Sequence, residues 1–309
     1  MSVKLFVIIV TYKCKQWYDR CFTSLRESSI AVQTVVIDNA SNDGTVEYIK
    51  EFYPEIHLIE SGENLGFGRA NNLGMRYALD QGCDYVFLLN QDAWVEKDTF
   101  EKMIDIHCQH QEYGVLGCIN VTKEKDHMLD GFLPLILDSQ NCSPSLVDDM
   151  YFSRLKDIYD IKSILASAWL LPRKTLEIIG GFDPIFFHYG EDDNYLQRAL
   201  YHGMKVGVCP KCPIVHDAQS ARVQEAVEYM KDEYAQKRDW MLEWCDVNNP
   251  AAMKDQSSYL FWKTIKLILQ AEYKKASHFW GMYRFYKQNK DAIMRSLSLN
   301  KTLGKHYLN

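Results

Sequence analysis

No run of about eighteen apolar residues occurs anywhere in the 309-residue chain, which excludes a helix built to span a bilayer. A basic excess is missing as well. Lys and Arg number 35 against 41 Asp and Glu, and the net charge of −6 argues against general nucleic-acid binding. The nine cysteines are odd in number and scattered, so they do not read as a disulfide framework; reduced thiols and a cytoplasmic compartment are expected. Cys209-Pro210-Lys211-Cys212 has no second Cys or His pair at zinc-finger spacing and no thioredoxin-like surroundings, so it reads as structural. Gly66 and Gly68 are followed by no glycine before Gly74, which fits neither a dinucleotide fingerprint nor a Walker loop. There is no internal repeat and no low-complexity tract. The early apolar run 5–10 directly follows Lys4, is short and lacks a small-residue cleavage site, so it reads as a core strand and not as a signal peptide.

What is present is the composition of an ordinary globular protein, 47% hydrophobic and 25% charged, long enough for one large domain with an appendage. Short apolar runs alternate with helix-like segments at intervals of roughly 25–30 residues, the rhythm of βαβ units. Strands are predicted at 5–10, 34–38, 56–60, 85–90 and 115–121, with helices at 16–27, 46–52, 69–80 and 99–110. Continuous runs such as Val35-Val36-Ile37 suggest burial on both faces of a mostly parallel sheet. Asp98 and Asp43 stand where helix N-caps belong. The stretch 123–161 carries Pro134, Pro144 and an Asn-Cys-Ser-Pro turn signal and reads as an irregular crossing loop or lid. Order returns at 164–171 and at a strand over 205–209, and beyond Ala221 the chain reads as helical.

Ligands of such sheets bind at the carboxyl ends of the strands. Thr11-Tyr12, Asp38-Asn39 and Asn90-Gln91-Asp92 all fall there, three polar groups on one edge. Asp38 can accept hydrogen bonds from a nucleotide base or ribose, although Asp38 through Thr45 also has the composition of a turn. The segment 64–74, with Asn64, Gly66 and Asn71, starts a helix beside these strand ends and allows close approach by an anion or sugar. Asn90-Gln91-Asp92 has the position of an Asp-x-Asp metal site with its first Asp replaced by Asn. A cation on a nucleoside diphosphate needs only one or two protein carboxylates. His216 follows another apolar run; a lone His is more often a surface or satisfied core residue, but imidazole also suits Mn²⁺. The last cluster is the most informative. Glu191-Asp192-Asp193 follows the aromatic run 182–190, and neighbouring carboxylates repel one another unless a cation or substrate uses them.

Taken together, these motifs resemble the family 2 inverting glycosyltransferases, in their rhamnosyltransferase-like and galactofuranosyltransferase-like branch. The residues that carry the likeness are 7–12, 36–45, 64–72, 88–92 and 181–192, and it covers roughly residues 3–220. The resemblance implies a GT-A fold, a Rossmann-like nucleotide-diphospho-sugar-binding sheet flanked by helices. Its domain would run over 1–220, with a donor half to about 121 and an acceptor half beyond it, followed by a helical extension over 221–309. It implies that Thr11, Tyr12, Asp38 and Asn39 hold the nucleotide, with Asn64, Gly66, Asn71, Asn90 and Gln91 further nucleotide-sugar contacts. Asp92 would hold a divalent cation, Mn²⁺ or Mg²⁺, with His216 an additional ligand. Asp192 would be the general base and Glu191 would help to position the acceptor. The branch pattern Glu-Asp-x-Asp-Leu is not kept, since Asn194 and Tyr195 take its last two places.

The implied reaction is inverting transfer from a nucleotide-diphospho-sugar, dTDP-rhamnose or a UDP-sugar, to an acceptor hydroxyl of a surface glycan or lipid-linked saccharide. A sugar-phosphate nucleotidyltransferase would carry a Gly-rich, Arg-containing loop after the first strand, and the absence of glycine from 10–15 argues strongly against it. The other alternative is a degenerate domain of this fold that binds sugar nucleotides or scaffolds, to which Asn90 and Asn194 lend some footing. From Gln256 onward ten Lys/Arg face two Asp/Glu, a net of +8 that leaves −14 on the first 255 residues. Trp262, Ile265, Leu269, Tyr273, Ala276, Trp280 and Tyr283 recur at steps of three and four, beside Lys263, Lys266 and Lys274. One amphipathic helix over 259–283 is expected, either packed on the catalytic domain with its lysines in water or making peripheral contact, within 259–305, with an anionic membrane at the cytoplasmic face.

Overall fold

The computed structural model describes residues 3–13, 15–218 and 233–308, so the helical reading of 221–232 lies outside the described residues. The chain divides into two units, Met1–Ser220 joined by Leu303–Asn309, and Ala221–Thr302.

The first unit is built on one nine-stranded sheet in the order β3-β2-β1-β4-β8-β6-β9-β5, with β7 paired to β9. The strands are β1 Leu5–Thr11, β2 Val32–Asp38, β3 His57–Glu60, β4 Tyr85–Asn90, β5 Ala93–Val95, β6 Tyr113–Val121, β7 Tyr159–Asp160, β8 Ala168–Pro172 and β9 Lys205–His216. The donor half, β3 to β4, is wholly parallel. On the other half β8 runs antiparallel to both β4 and β6, and β5 and β7 run antiparallel to β9.

Apolar residues fill both sides of these strands because successive side chains alternate between faces. Phe6 and Ile8 of β1 join Ile37, Leu88 and helix α3 (Phe67–Asp80) in one core. Leu5, Val7 and Ile9 join Phe87, Leu89 and helices α1 (Tyr18–Arg26), α2 (Thr45–Phe52) and α4 (Thr99–Gln109) in the other. Asp98 does not cap α4 with its side chain; it pairs with Lys102 one turn on, at 2.7 Å. Asp43 does reach the start of α2, accepting from the Thr45 amide at 3.2 Å.

The stretch expected to be irregular contains two short helices, α5 (Leu133–Leu137) and α6 (Ser145–Tyr151), and ends in β7. Helices α7 (Arg173–Ile179) and α8 (Glu191–Tyr201) complete this unit. The final residues belong to it too. The Gly304 amide donates to the Ile178 carbonyl at 2.8 Å, and Leu308 is buried in the first core.

The second unit holds α9 (Glu233–Trp244), α10 (Ser257–Leu269) and α11 (Tyr273–Asn300). The single helix expected over 259–283 is not formed. The chain turns at Gln270–Glu272, with Ala271 in the left-handed region at φ 58°. Lys290 pairs with Asp255 at 2.5 Å, and the Phe261 and Tyr283 rings meet at 5.7 Å, so α10 and α11 form an antiparallel hairpin. No helix among the described residues is long and apolar enough to cross a membrane.

Candidate active site

The register of the donor half brings the polar strand ends together. Thr11 lies opposite Asp38 and Val10 opposite Asn90, so the ends of β1, β2 and β4 form one edge. Here the Thr11 hydroxyl donates to Asp38 Oδ1 at 2.9 Å and the Ser41 amide donates to Asp38 Oδ2 at 2.8 Å. Tyr12 is 40% exposed, and Gln91 clasps its backbone by accepting from its amide at 2.8 Å and donating to its carbonyl at 3.3 Å. The Asn39 amide donates to the Gly66 carbonyl and accepts from the Leu65 amide, each at 3.2 Å. Asn64 accepts from the Gly66 amide at 2.9 Å, while Asn71 donates to the Phe67 carbonyl within its own helix. Several of the residues singled out by sequence therefore shape the rim by bonding to one another. Thr11, Tyr12, Asp38, Asn39, Asn64, Gly66, Asn90 and Gln91 share that rim, whereas Asn71 sits back in α3.

A second set of contacts ties the rim to the aromatic loop 182–190. Gly66 adopts φ +79°, and a Cβ there would collide with the Phe187 carbonyl, so both its backbone and its packing demand glycine. Asn72 makes two bonds to one residue, accepting from the Phe182 amide at 2.7 Å and donating to its carbonyl at 2.8 Å. Arg69 donates to the Pro184 carbonyl at 3.0 Å. The loop then passes through Tyr189 and Gly190 at φ 62° and 90°, and α8 begins. Asn72 lay inside a segment read only as a helix start, and its clamp could not be read from spacing.

Helix α8 carries all three carboxylates in its first turn, where the positive end of the helix dipole favours negative charge. Glu191 is buried, only 3% exposed, and packs beside Gly68. Asp193 accepts from the Ser163 hydroxyl at 2.7 Å. Asp192 is half-buried, and burial together with the neighbouring Asp193 charge pushes its carboxyl from 3.8 up to about 6. A carboxylate so raised is still ionised at neutral pH but has become a better proton acceptor.

Asp92 lies fully buried in the turn between β4 and β5, with Oδ1 3.3 Å from His216 Nε2 on β9. Among the described residues no group of three or more His, Cys, Asp or Glu side chains is placed to hold a metal. The two-residue set still fits a divalent cation whose other ligands come from phosphate and water, since such ions take few protein ligands and accept carboxylate and imidazole alike. The cysteines at 118, 209 and 212 are buried free thiols, with Cys118 and Cys209 raised well above the ordinary thiol value by burial. Raised and enclosed thiols are poor nucleophiles and metal ligands, in keeping with a packing role.

The sheet has polar strand ends tied through the aromatic loop to a helix that opens on carboxylates, and its structural neighbours share the GT-A fold. Two family models match the chain, glycosyl transferase family group 2 over residues 85–286 and glycosyl transferase family 2 over 6–128. The protein belongs to the family 2 glycosyltransferases and is a transferase. It is 24% identical over 217 residues to the dTDP-rhamnosyl transferase RfbF of Shigella flexneri, covering 70% of each chain. It is 25% identical to the N-acetylglucosaminyl-diphospho-decaprenol L-rhamnosyltransferase of Mycobacterium tuberculosis, covering 70% of this chain and 76% of that one. The mannosyltransferase PcManGT of Pyrobaculum calidifontis, solved with GDP-Man and Mn²⁺, shares the fold at a TM-score of 0.56 and 15% identity, over 97% of this chain and 74% of that one. S. aureus TarS does so at 0.53 and 12% identity over 95% of this chain, which spans only 55% of that longer protein. The relatives carry transferase names, and the reading as a degenerate binding domain gains no support from them.

Proposed function

We propose that the protein is a metal-dependent, inverting glycosyltransferase that moves a sugar from a nucleotide-diphospho-sugar to an acceptor hydroxyl. The observation that carries this reading is the position of Asp192 in the first turn of α8, behind a loop clamped to the polar strand-end rim by Asn72 and Gly66, with burial raising its carboxyl. Asp38, Thr11 and Tyr12 take the nucleoside, with the loop around Asn64 and Gly66 beside them. Asp92 and His216 would hold Mn²⁺ or Mg²⁺, which when bound neutralises the charge that develops on the leaving diphosphate. Asp192 takes the proton of the acceptor hydroxyl, whose oxygen forms its bond to the anomeric carbon on the face away from the diphosphate. The bond from that carbon to the phosphate oxygen breaks, its electron pair leaves with the nucleoside diphosphate, and the configuration inverts. Asp193 is the weaker candidate for base, because the Ser163 hydroxyl already holds it. Glu191, in the same helix turn, helps to position the acceptor.

A dTDP-linked rhamnose is the favoured donor and a UDP-sugar the runner-up; the relatives named as rhamnosyl transferases support that order. The acceptor is a growing surface glycan or a lipid-linked saccharide. A thermal-shift panel of nucleotide sugars with Mn²⁺ tests the donor, because a selective ligand raises apparent stability by mass action. A marked shift with one dTDP- or UDP-sugar is expected, and no response to any nucleotide sugar would defeat the reading.

The helical hairpin supports a cytoplasmic enzyme working at the membrane face. Its turn end exposes Leu269 at 83% and Tyr273 at 67% beside Lys266 and Lys274, and Trp262, two helical turns back along α10, is 66% exposed. Apolar side chains of this kind enter the headgroup region while lysines meet anionic lipid. Flotation with phosphatidylglycerol vesicles should show salt-sensitive binding that is lost when Lys263, Lys266 and Lys274 are replaced by Glu. Binding absent from the wild type, or unchanged in the variant, would rule out this contact.

A further inference from the structure

We propose that Asn120, held by Ser167, is a positioning residue that fixes the tautomer of His216 so that its Nε2 faces the cation site beside Asp92. This inference rests on the metal reading above and reaches beyond it, to residues that do not touch the cation.

Asn120, Ser167, His216 and Asp92 come from four different strands or strand ends, and all are at least 96% buried. His216 Nδ1 lies 2.9 Å from Asn120 Oδ1. The Ser167 hydroxyl donates to that same oxygen at 2.6 Å. The orientation of the amide is set by its other end, because Asn120 Nδ2 donates to the Cys118 carbonyl at 3.2 Å. An amide oxygen can only accept, so the proton on this bond belongs to His216 Nδ1. A neutral imidazole with Nδ1–H keeps its lone pair on Nε2.

That lone pair faces acidic ground. Nε2 lies 3.3 Å from Asp92 Oδ1, with the Asn90 amide nitrogen 3.5 Å away. Two acceptors facing each other at this separation repel unless a positive charge lies between them. A divalent cation between them would supply that charge. Histidine ligands of metals characteristically donate their other ring N–H to a carbonyl or carboxylate, which fixes the ring and raises its basicity. Asn120 supplies that acceptor here. The backbone completes the frame, since the Asn90 amide donates to the Ser167 carbonyl at 2.9 Å and the Asp217 amide to the Asp92 carbonyl at 2.8 Å. The same residues that hold the imidazole are thereby tied to the strand ends that present Asp92.

The test uses ¹⁵N-labelled full-length protein and Mn²⁺ alone as probe. Long-range ¹H–¹⁵N spectra at alkaline pH should show a protonated Nδ1 and an unprotonated Nε2. Asn120→Ala should lose that preference and weaken Mn²⁺ binding, read by electron paramagnetic resonance, by about 10–100-fold. Asn120→Asp keeps an acceptor toward Nδ1 and should restore both the tautomer and most of the affinity. It also keeps the proposal testable should the alanine variant fail to fold. A wild-type His216 protonated on Nε2 instead would overturn the proposal. So would Mn²⁺ affinity that falls in His216→Ala but is untouched in a folded Asn120→Ala. If neither Asp92→Ala nor His216→Ala changes Mn²⁺ binding, the metal reading itself fails, and the tautomer spectra show separately whether Asn120 still orients the ring.

Discussion

The Tyr307 hydroxyl donates to Asp183 Oδ2 at 2.9 Å, joining the last residues to the aromatic loop that leads into α8. The contact is part of a larger clasp. The Gly181 amide donates to the His306 carbonyl at 2.8 Å. The buried Arg198 guanidinium lies over both the Tyr195 and Tyr307 rings and donates to the Ile179 carbonyl at 2.8 Å. Removing residues 303–309 should expose the Gly180–Asp183 backbone and strip Leu308 from the core, so a lower melting temperature and loss of activity are expected. Tyr307→Phe removes one bond to a carboxylate and should cost about 1.5–3 kcal/mol in denaturant unfolding. Unchanged stability in the truncated protein would show that the clasp holds nothing.

Asp192→Asn should lower transfer at least ~10²-fold while leaving donor binding nearly intact, because it removes proton acceptance without changing shape. The same change should make the protein more stable near pH 8. A carboxyl raised from 3.8 to about 6 is penalised by folding when ionised, so its favourable contribution is complete below its unfolded value and lost as pH rises through about 6. An amide carries no such penalty. Near-normal turnover in the variant would move the role of base to a neighbour.

The rate should follow that titration. Transfer rises with pH through about 6 and levels above it, since the base must be ionised to accept a proton. Asp193→Asn removes the neighbouring charge that helps to raise Asp192, so the acidic limb of the profile should move to lower pH. A limb that stays in place would show that Asp193 does not influence the base.

Gly66→Ala should be strongly destabilising, because it combines φ +79° with a collision against the Phe187 carbonyl. Gly44→Ala is the useful comparison. Its φ is +89° but nothing lies within 4 Å of the added methyl, so it should cost only the roughly 1–2 kcal/mol of the backbone conformation. Equal melting temperatures for the two variants would contradict the close approach of the loops.

Much of the donor half was legible because its signals are local. The run 5–10 and Val35-Val36-Ile37 are strands that can hardly be anything else, and their register alone brings Thr11 to Asp38. The antiparallel entry of β8 was not legible, since nothing within Ala168–Pro172 specifies which neighbours it meets. The break between α10 and α11 was missed because Ala271 takes a left-handed conformation with no glycine or proline to announce it. Asn72, Asn120 and Tyr307 act over separations of 110, 96 and 124 residues, where periodicity carries no information.

The central claim is that Asp92 and Asp192 serve one reaction, the first through a cation on the donor and the second as base toward the acceptor. It is tested most directly by the configuration of the product formed when methanol replaces the natural acceptor, with the nucleotide sugar chosen by thermal shift. Proton NMR of the methyl glycoside, with Mn²⁺ present, should show the anomer opposite to that of the donor, and EDTA should abolish its formation until Mn²⁺ is restored. A methyl glycoside of retained configuration, or one formed equally well in EDTA, would contradict the account.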